Sequence, residues 1–99
     1  MYQATTPKYT FTFPFKLSTV KSLLITFKQN NKELNFDEND VLFLDDYKIE
    51  VKLTQKQTAM FQSTFKCKVQ VRVKLNDDNV IASQIEMVDV NPSLNLQEI

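Results

Sequence analysis

The chain contains no glycine, no histidine and no tryptophan among its 99 residues. Without histidine, the usual catalytic triads lack their general base and the common zinc ligand sets cannot be assembled. Without glycine, the phosphate-binding loops of nucleotide enzymes cannot form in their usual shape. Tight turns that need a positive φ must then use asparagine or aspartate. We therefore predict that the protein is not an enzyme and needs no cofactor or small-molecule substrate.

Disulfides and excess charge are also lacking. Cys67 is the only cysteine, so an intramolecular disulfide is excluded, and its place on an apolar strand face favours a buried structural role. Basic and acidic residues number 12 each, so no net charge attracts nucleic acid or an anionic membrane. Residues 1–6 lack the features of a signal peptide, and no apolar run approaches the roughly 18 residues of a membrane span. We expect synthesis as a soluble cytosolic product.

The clearest pattern that is present lies in residues 65–90. Alternate residues from Phe65 to Leu75 are apolar while the residues between them are mostly basic, which is the period of a half-buried strand. A return strand follows after an Asp- and Asn-rich stretch. It places four residues on one face: Ile81, Ser83, Ile85 and Met87. Residues 65–90 are therefore predicted to form a β-hairpin.

The register of this hairpin follows if apolar residues face each other. Val71 then lies opposite Ile85 and Val69 opposite Met87, and all four are expected to be buried together with Val73. This pairing leaves residues 77–79 as a three-residue loop in which Asn79 takes the left-handed conformation.

Similar alternation predicts strands in the rest of the chain. They are centred on residues 9–15, 23–29, 32–36, 41–44 and 47–53. Pro14 cannot donate to a β-ladder, so the first of these strands should lie at a sheet edge or end there. Thr54 and Gln57 have the spacing of a capping box, which predicts one short helix over residues 55–60. Residues 41–44 are interpreted as a short buried strand.

About seven strands with regular turn signals favour an all-β fold, an antiparallel two-sheet sandwich with one short helical turn. The corner that leads from Leu53 through Phe61 to Cys67 resembles that of immunoglobulin-like domains. We expect one sandwich domain over residues 1–90. Residues 91–99, beyond the break at Pro92, are expected to form a C-terminal extension.

The acidic stretch at residues 37–46 raises the alternative of a calcium site. Residues 37–40 lack the alternating ligands, the central glycine and the terminal glutamate of an EF-hand loop, so a solvated loop is favoured and no metal is predicted. Candidate protein-interaction residues lie instead on the first strand, on the polar face of the hairpin and in the extension. They are Thr10 and Thr12; Lys66, Lys68, Arg72 and Lys74; and Leu94, Leu96 and Ile99. The basic set also fits an ordinary solvated sheet face, and the extension an ordinary frayed terminus.

Several framework segments support a resemblance that covers nearly the whole chain. They are residues 4–13, 24–30, 51–55, 69–73 and 82–83. In these segments the chain resembles small proteins of about 100 residues encoded in phages and prophages of Gram-positive, gut-type bacteria, and its layout is similar to the N-terminal domain of phage baseplate upper proteins. Members of that group carry glycine before the Thr-Thr-Pro and in the final hairpin loop, where this chain has Ala4 and Asp78.

The resemblance implies a virion component in the tail, baseplate or head. It would be made in the host cytoplasm and assembled in many copies with itself and with other phage structural proteins. The alternative is a non-virion, phage-encoded binding module that acts on a host protein. Residues alone do not separate these two functions.

Overall fold

The computed structural model describes all residues 1–99. It contains eight β-strands, one 3₁₀ turn (Leu17–Thr19) and one short helix, α1 (Gln55–Ala59). The strands are β1 (Lys8–Thr12), β2 (Val20–Gln29), β3 (Lys32–Asp37), β4 (Leu42–Phe43), β5 (Lys48–Lys52), β6 (Cys67–Leu75), β7 (Val80–Ala82) and β8 (Glu86–Val88).

The strands form two antiparallel sheets. The smaller sheet has the order β1-β5-β4, and the larger has the order β3-β2-β6-β7. β8 also pairs directly with β6, along the first three residues of β6. The predicted all-β sandwich is therefore confirmed. The count is eight rather than about seven because the return strand of the last hairpin is divided into β7 and β8.

The core lies between the two sheets and is built from their inward-facing alternate residues. Phe27 at the centre of β2 contacts the ring of Tyr9 from β1, with ring centroids 5.4 Å apart, and the ring of Phe36 from β3 at 5.9 Å. The fully buried side chains include Ile25, Phe27, Ile49, Val51, Leu53, Phe61 and Cys67. The expected burial of Cys67 is confirmed.

The last hairpin corrects the predicted register. Val69 lies opposite Glu86 instead of Met87, and Val73 lies opposite Ile81. The two halves of the return strand differ in register by one residue, because Ser83 interrupts the ladder by accepting a hydrogen bond from the Val71 N–H through its Oγ, at 3.0 Å. A single alternation across residues 81–87 therefore does not describe this strand.

Burial in the hairpin was predicted correctly only for β6. Val69, Val71 and Val73 are buried, whereas Ile85 is 56% exposed and Met87 is 52% exposed. Met87 lies opposite Lys68, which places it on the outer face of the sheet. Ile85 lies in the irregular segment between β7 and β8. The prediction of a buried return strand was wrong because no second-sheet strand covers this edge.

The hairpin loop is also shifted by one residue. The Leu75 N–H donates to the Asn79 carbonyl at 2.8 Å, so residues 76–78 form the loop. Asp78, with a φ of 69°, takes the left-handed conformation that was assigned to Asn79. The other residues with positive φ are Ala4 at 58° and Asn30 at 53°. Asn30 occupies the predicted β2–β3 turn, in which asparagine replaces glycine.

The buried strand that was predicted over residues 41–44 does not form. Only Leu42 and Phe43 are in strand conformation, in β4 at the edge of the smaller sheet. Val41 is partly buried against the core. Leu42, Phe43 and Leu44 are exposed, because the two-residue strand has a partner on one side only.

The predicted capping box at α1 is confirmed. The Thr54 side chain accepts from the Gln57 N–H at 3.1 Å, and the Gln57 side chain accepts from the Thr54 N–H at 2.9 Å. Thr58 on this helix is fully buried, and its hydroxyl donates to the Thr5 carbonyl at 2.9 Å while accepting from the Thr5 N–H at 3.0 Å. The helix therefore anchors the segment that leads into β1.

Gln29 is a buried polar residue at the end of β2. Its Nε2 donates to the carbonyls of Gln62 and Phe65 at 2.7 and 2.9 Å, and its Oε1 accepts from the Gln62 N–H at 2.7 Å. These three bonds hold the loop before β6 against the end of the core. This role was not predicted from the sequence, although Gln29 continues the inward alternation of Leu23, Ile25 and Phe27.

Candidate functional site

An apolar groove runs along one side of the sandwich, between the free edges of the two sheets. We call it the seam groove. Its walls are residues 10–15 on one side and residues 81–84 with Glu86 on the other, and its floor is Val69, Val71 and Val73 of β6. Its volume is about 380 Å³. The opposite side of the sandwich is closed differently, because β3 and β4 are joined there by a short connection.

The aromatic residues of the first strand form one wall of the seam groove. Phe11, Phe13 and Phe15 alternate toward the core, and the Phe13 and Phe15 ring centroids lie 5.6 Å apart. All three rings remain partly exposed. A typical sandwich edge would cover such rings with another strand, so this wall is incompletely packed.

The main chain of β1 is unpaired on the groove side. The Leu53 N–H donates to the Pro7 carbonyl at 3.0 Å and the Phe13 N–H to the Tyr47 carbonyl at 2.8 Å, which shows that the odd-numbered residues bond to β5. In an antiparallel ladder the intervening residues point their N–H and C=O groups the other way. Thr10 and Thr12, two predicted interaction residues, therefore present their main-chain groups at a free edge, as the prediction of an edge strand required.

The β7 edge is unpaired in the same way. The Ser83 N–H donates to the Val71 carbonyl at 2.8 Å, and Ile81 lies opposite Val73 in the same ladder. Val80 and Ala82 therefore direct their main-chain groups away from β6. This edge was not predicted from the sequence. The signal that could have found it is Ser83, a small polar residue on an otherwise apolar face.

The predicted basic residues lie elsewhere. Lys68, Arg72 and Lys74 are on the outer face of the larger sheet, across the sheet from the seam groove. Lys66 precedes β6, and its Nζ lies 3.7 Å from an Asp89 carboxylate oxygen. Lys28, which pattern analysis missed, stands directly opposite Lys68.

Part of this basic face is neutralised. The Lys74 Nζ lies 3.9 Å from a carboxylate oxygen of Asp78, to which Lys21 also donates at 2.9 Å. These are exposed pairs, which contribute little to stability. These acidic neighbours make the outer face more nearly balanced in charge than the basic residues of β6 alone would indicate.

The C-terminal extension lies beside α1. It leaves the sandwich at Asn91, whose N–H donates to the Met1 carbonyl at 2.7 Å and whose carbonyl accepts from the Gln3 N–H at 3.0 Å. Its far end is held by the Gln55 amide, which donates to the Ile99 carbonyl at 2.8 Å and accepts from the Ile99 N–H at 2.9 Å.

The apolar side chains of the extension are poorly covered in this position. Leu94 and Ile99 are fully exposed and Leu96 is 45% exposed. Residues 92–99 belong to no strand of either sheet. The three predicted interaction residues of the extension are thus exposed to solvent.

A second exposed apolar patch lies at the β4–β5 turn. It consists of Leu42, Phe43, Leu44 and Tyr47, all exposed. We call it the turn patch. It is formed by one short segment, unlike the seam groove, which has walls from both sheets.

The chemistry of the titratable groups is limited. Burial raises the pKa of the Cys67 thiol to about 11 and also raises the pKa of Tyr9. The thiol is therefore protonated at neutral pH and is a poor nucleophile. The structure contains no group of three or more Cys, Asp or Glu side chains placed to hold a metal ion. It also has no helix with the length and apolarity needed to cross a bilayer.

Comparisons of the chain with protein-family models, with curated proteins and with solved structures found no match. The functional interpretation therefore depends on the geometry of the seam groove, the free edges and the extension.

Proposed function

We propose that this chain is a structural component of a bacteriophage particle, in the tail, baseplate or head, that acts through contacts with copies of itself and with other particle proteins. The observation that carries the proposal is the seam groove flanked by two unpaired strand edges. Soluble monomers usually protect such edges with charge, bulges or a covering segment. Here Thr10 and Thr12 on one edge and Val80 and Ala82 on the other are uncharged.

The exposed extension supports the same proposal. Leu94, Leu96 and Ile99 are apolar and largely uncovered in a single copy of the chain. Exposed apolar groups on both a groove and a terminal segment favour an assembly protein, because both surfaces become covered only when copies or partners meet.

The backbone supports the resemblance to small phage proteins. The two positions at which that group carries glycine are Ala4 and Asp78 in this chain, and both have positive φ values, of 58° and 69°. Glycine is the residue that adopts this conformation without steric cost. Glycine would therefore fit the backbone of this chain at both positions.

The turn patch favours a second candidate function. Leu42, Phe43, Leu44 and Tyr47 are exposed on one segment, and aromatic and aliphatic residues of this kind form the anchors of many protein interfaces. A phage-encoded binding module that acts on a host protein could use such a patch without entering a particle.

Particle composition tests the proposal. Phage particles from an induced host should be purified on a density gradient, and the copy number of this protein relative to the known structural proteins should be measured by quantitative mass spectrometry. We expect a fixed number of copies per particle, retained after a high-salt wash. Recovery only in the particle-free soluble fraction would refute the virion function and favour the host-directed module. Substitution of Leu42 and Phe43 by serine then tests whether the turn patch is the binding surface.

A further inference from the structure

We infer that the seam groove receives residues 93–99 from a second copy of this chain, as an added strand antiparallel to β7. The inference deepens the proposed function and rests on it in one respect, since assembly into a particle supplies many copies at high local concentration. Strand addition of this kind combines main-chain hydrogen bonds to a free edge with pockets for alternate side chains.

The extension has the side-chain pattern that the groove requires. In an extended strand Leu94, Leu96 and Glu98 lie on one face, while Asn95 and Gln97 lie on the other. An added strand pairs with the outer edge of β7, so Leu94 and Leu96 would lie beside Ile81 on the groove face of the larger sheet. Seven extended residues reach about 23 Å, which is longer than the three-residue edge of β7.

The direction of the added strand follows from the directions of β1, β6 and β7 and from the charges at the two ends of the groove. The start of β1 lies near Val69, because Tyr9 contacts Phe27, the neighbour of Val69 in the sheet. The chain that continues from β1 reaches the opposite end of β6, because the Asn76 N–H, just after β6, donates to the carbonyl of Thr19 in the 3₁₀ turn at 2.9 Å. β1 and β6 therefore run in the same direction, and β7 runs against both.

Glu86 lies opposite Val69 at the first end of the groove, and Lys16 follows Phe15 at the other end. A strand antiparallel to β7 brings Glu98 toward Lys16 and away from Glu86. The reverse direction would place Glu98 beside Glu86, so like-charge repulsion disfavours it.

The extension of the same copy is directed away from its own groove. Hydrogen bonds between Asn91 and residues 1–3 fix the point at which the extension leaves the sandwich, and Gln55 holds Ile99 beside α1. Ser93 is also held, because its hydroxyl donates to the Gln3 carbonyl at 2.7 Å. Release of this bond and of the two Gln55 bonds frees the extension for a neighbouring copy. Leu94 and Leu96 are covered in the added strand, whereas beside α1 Leu94 is fully exposed and Leu96 is 45% exposed; Ile99 lies on the opposite face with Asn95 and Gln97.

The donor side is tested with two matched double variants of the full chain. Leu94→Ser with Leu96→Ser removes the groove-facing contacts, whereas Asn95→Ser with Gln97→Ser changes the opposite face of the same segment. Self-association should be measured by analytical ultracentrifugation from micromolar to millimolar concentration. We expect the leucine variant to raise the dissociation constant about tenfold or more and the control to leave it nearly unchanged.

The acceptor side is tested with proline at the two free edges. Ala82→Pro removes an outward-facing N–H of β7 without removing a bond to β6, and Thr10→Pro does the same for β1. We expect Ala82→Pro to weaken self-association and Thr10→Pro to have little effect. Thermal melting of each variant checks that it folds. If Ala82→Pro does not fold, Ile81→Ser, which keeps the main chain intact, replaces it as the acceptor variant.

Three outcomes would overturn the inference: a wild-type chain that stays monomeric at millimolar concentration, equal association of the leucine variant and its control, or weakening by Thr10→Pro alone. These results are distinguishable from failure of the proposed function. If the protein is found in particles but its self-association does not depend on the extension, only the inference is refuted. If the protein self-associates through the extension but is absent from particles, only the virion function is refuted.

Discussion

Replacing Gln29 with methionine should lower the free energy of unfolding by about 2 to 3 kcal/mol, because methionine has a similar shape but cannot make the three hydrogen bonds of the glutamine amide. The Gln29 side chain is 3% exposed, and its bonds to Gln62 and Phe65 are 2.7 to 2.9 Å long. Each such bond contributes about 1 kcal/mol net, and the Gln62 N–H is left without its partner. The more apolar methionine offsets part of this loss.

Thermal and urea unfolding, each followed by circular dichroism, measure the effect. A loss of this size in a domain of about 100 residues corresponds to a decrease in Tm of about 10 to 20 °C. Gln70→Met is the matched control, since the Gln70 side chain makes one bond, to the Ser83 carbonyl at 3.1 Å, on the solvent side of the sheet. We expect this control to change stability by less than about 0.5 kcal/mol. Equal effects of the two substitutions would refute the assigned role of Gln29.

Three further predictions concern the core, a turn and the thiol. Val71→Ala should cost about 1 to 3 kcal/mol through lost burial and a cavity, whereas Met87→Ala should cost less than about 0.5 kcal/mol; similar losses in urea unfolding would show that the hairpin faces are wrongly assigned. Ala4→Gly should raise stability by about 0.5 to 1 kcal/mol, because Ala4 has a φ of 58°, and a lower Tm would contradict this strain. The Cys67 pKa is raised from 9.0 to about 11, so the stability it contributes is complete below pH 9 and is lost as the pH rises through 11. The free energy of unfolding should fall by up to about 1.4 kcal/mol per pH unit in that window, more steeply than in Cys67→Val; identical slopes would contradict the raised pKa.

The fold class could be predicted from the sequence because strong alternation persists in the strands that form the centre of the sandwich. β2, β5 and β6 were all recognised from their inward-facing residues, and the Thr54–Gln57 capping box from its spacing. In these strands the apolar face is also the buried face, because each strand has neighbours on both sides and the other sheet covers its inward face.

The edges could not be predicted in the same way. Alternation shows which residues share a face but does not show whether anything covers it, so Ile85 and Met87 were wrongly expected to be buried. The irregularity at Ser83 depends on a side-chain bond to the main chain, which a period of two residues cannot reveal.

The candidate site was partly predictable. Pro14 indicated that the first strand lies at an edge, and Thr10 and Thr12 were therefore named as interaction residues. The β7 wall of the seam groove was missed, because it becomes a wall only through the stacking of two sheets. Gln29 was missed because its partners, Gln62 and Phe65, lie in a loop with no recognisable pattern.

The order of pairing in the larger sheet has a consequence for how the chain folds during synthesis. β2 meets β3 at once, but its other neighbour, β6, follows only after β4, β5 and α1 have been made. Pairing at such sequence separation is slow, typically milliseconds to seconds. At about 5 to 20 residues per second, the ribosome leaves Ile25 and Phe27 uncovered for seconds before Val69 and Val71 emerge. We expect fragments that stop before Cys67 to aggregate or to be degraded, and the yield of folded protein to depend on chaperones that cover β2 in that interval.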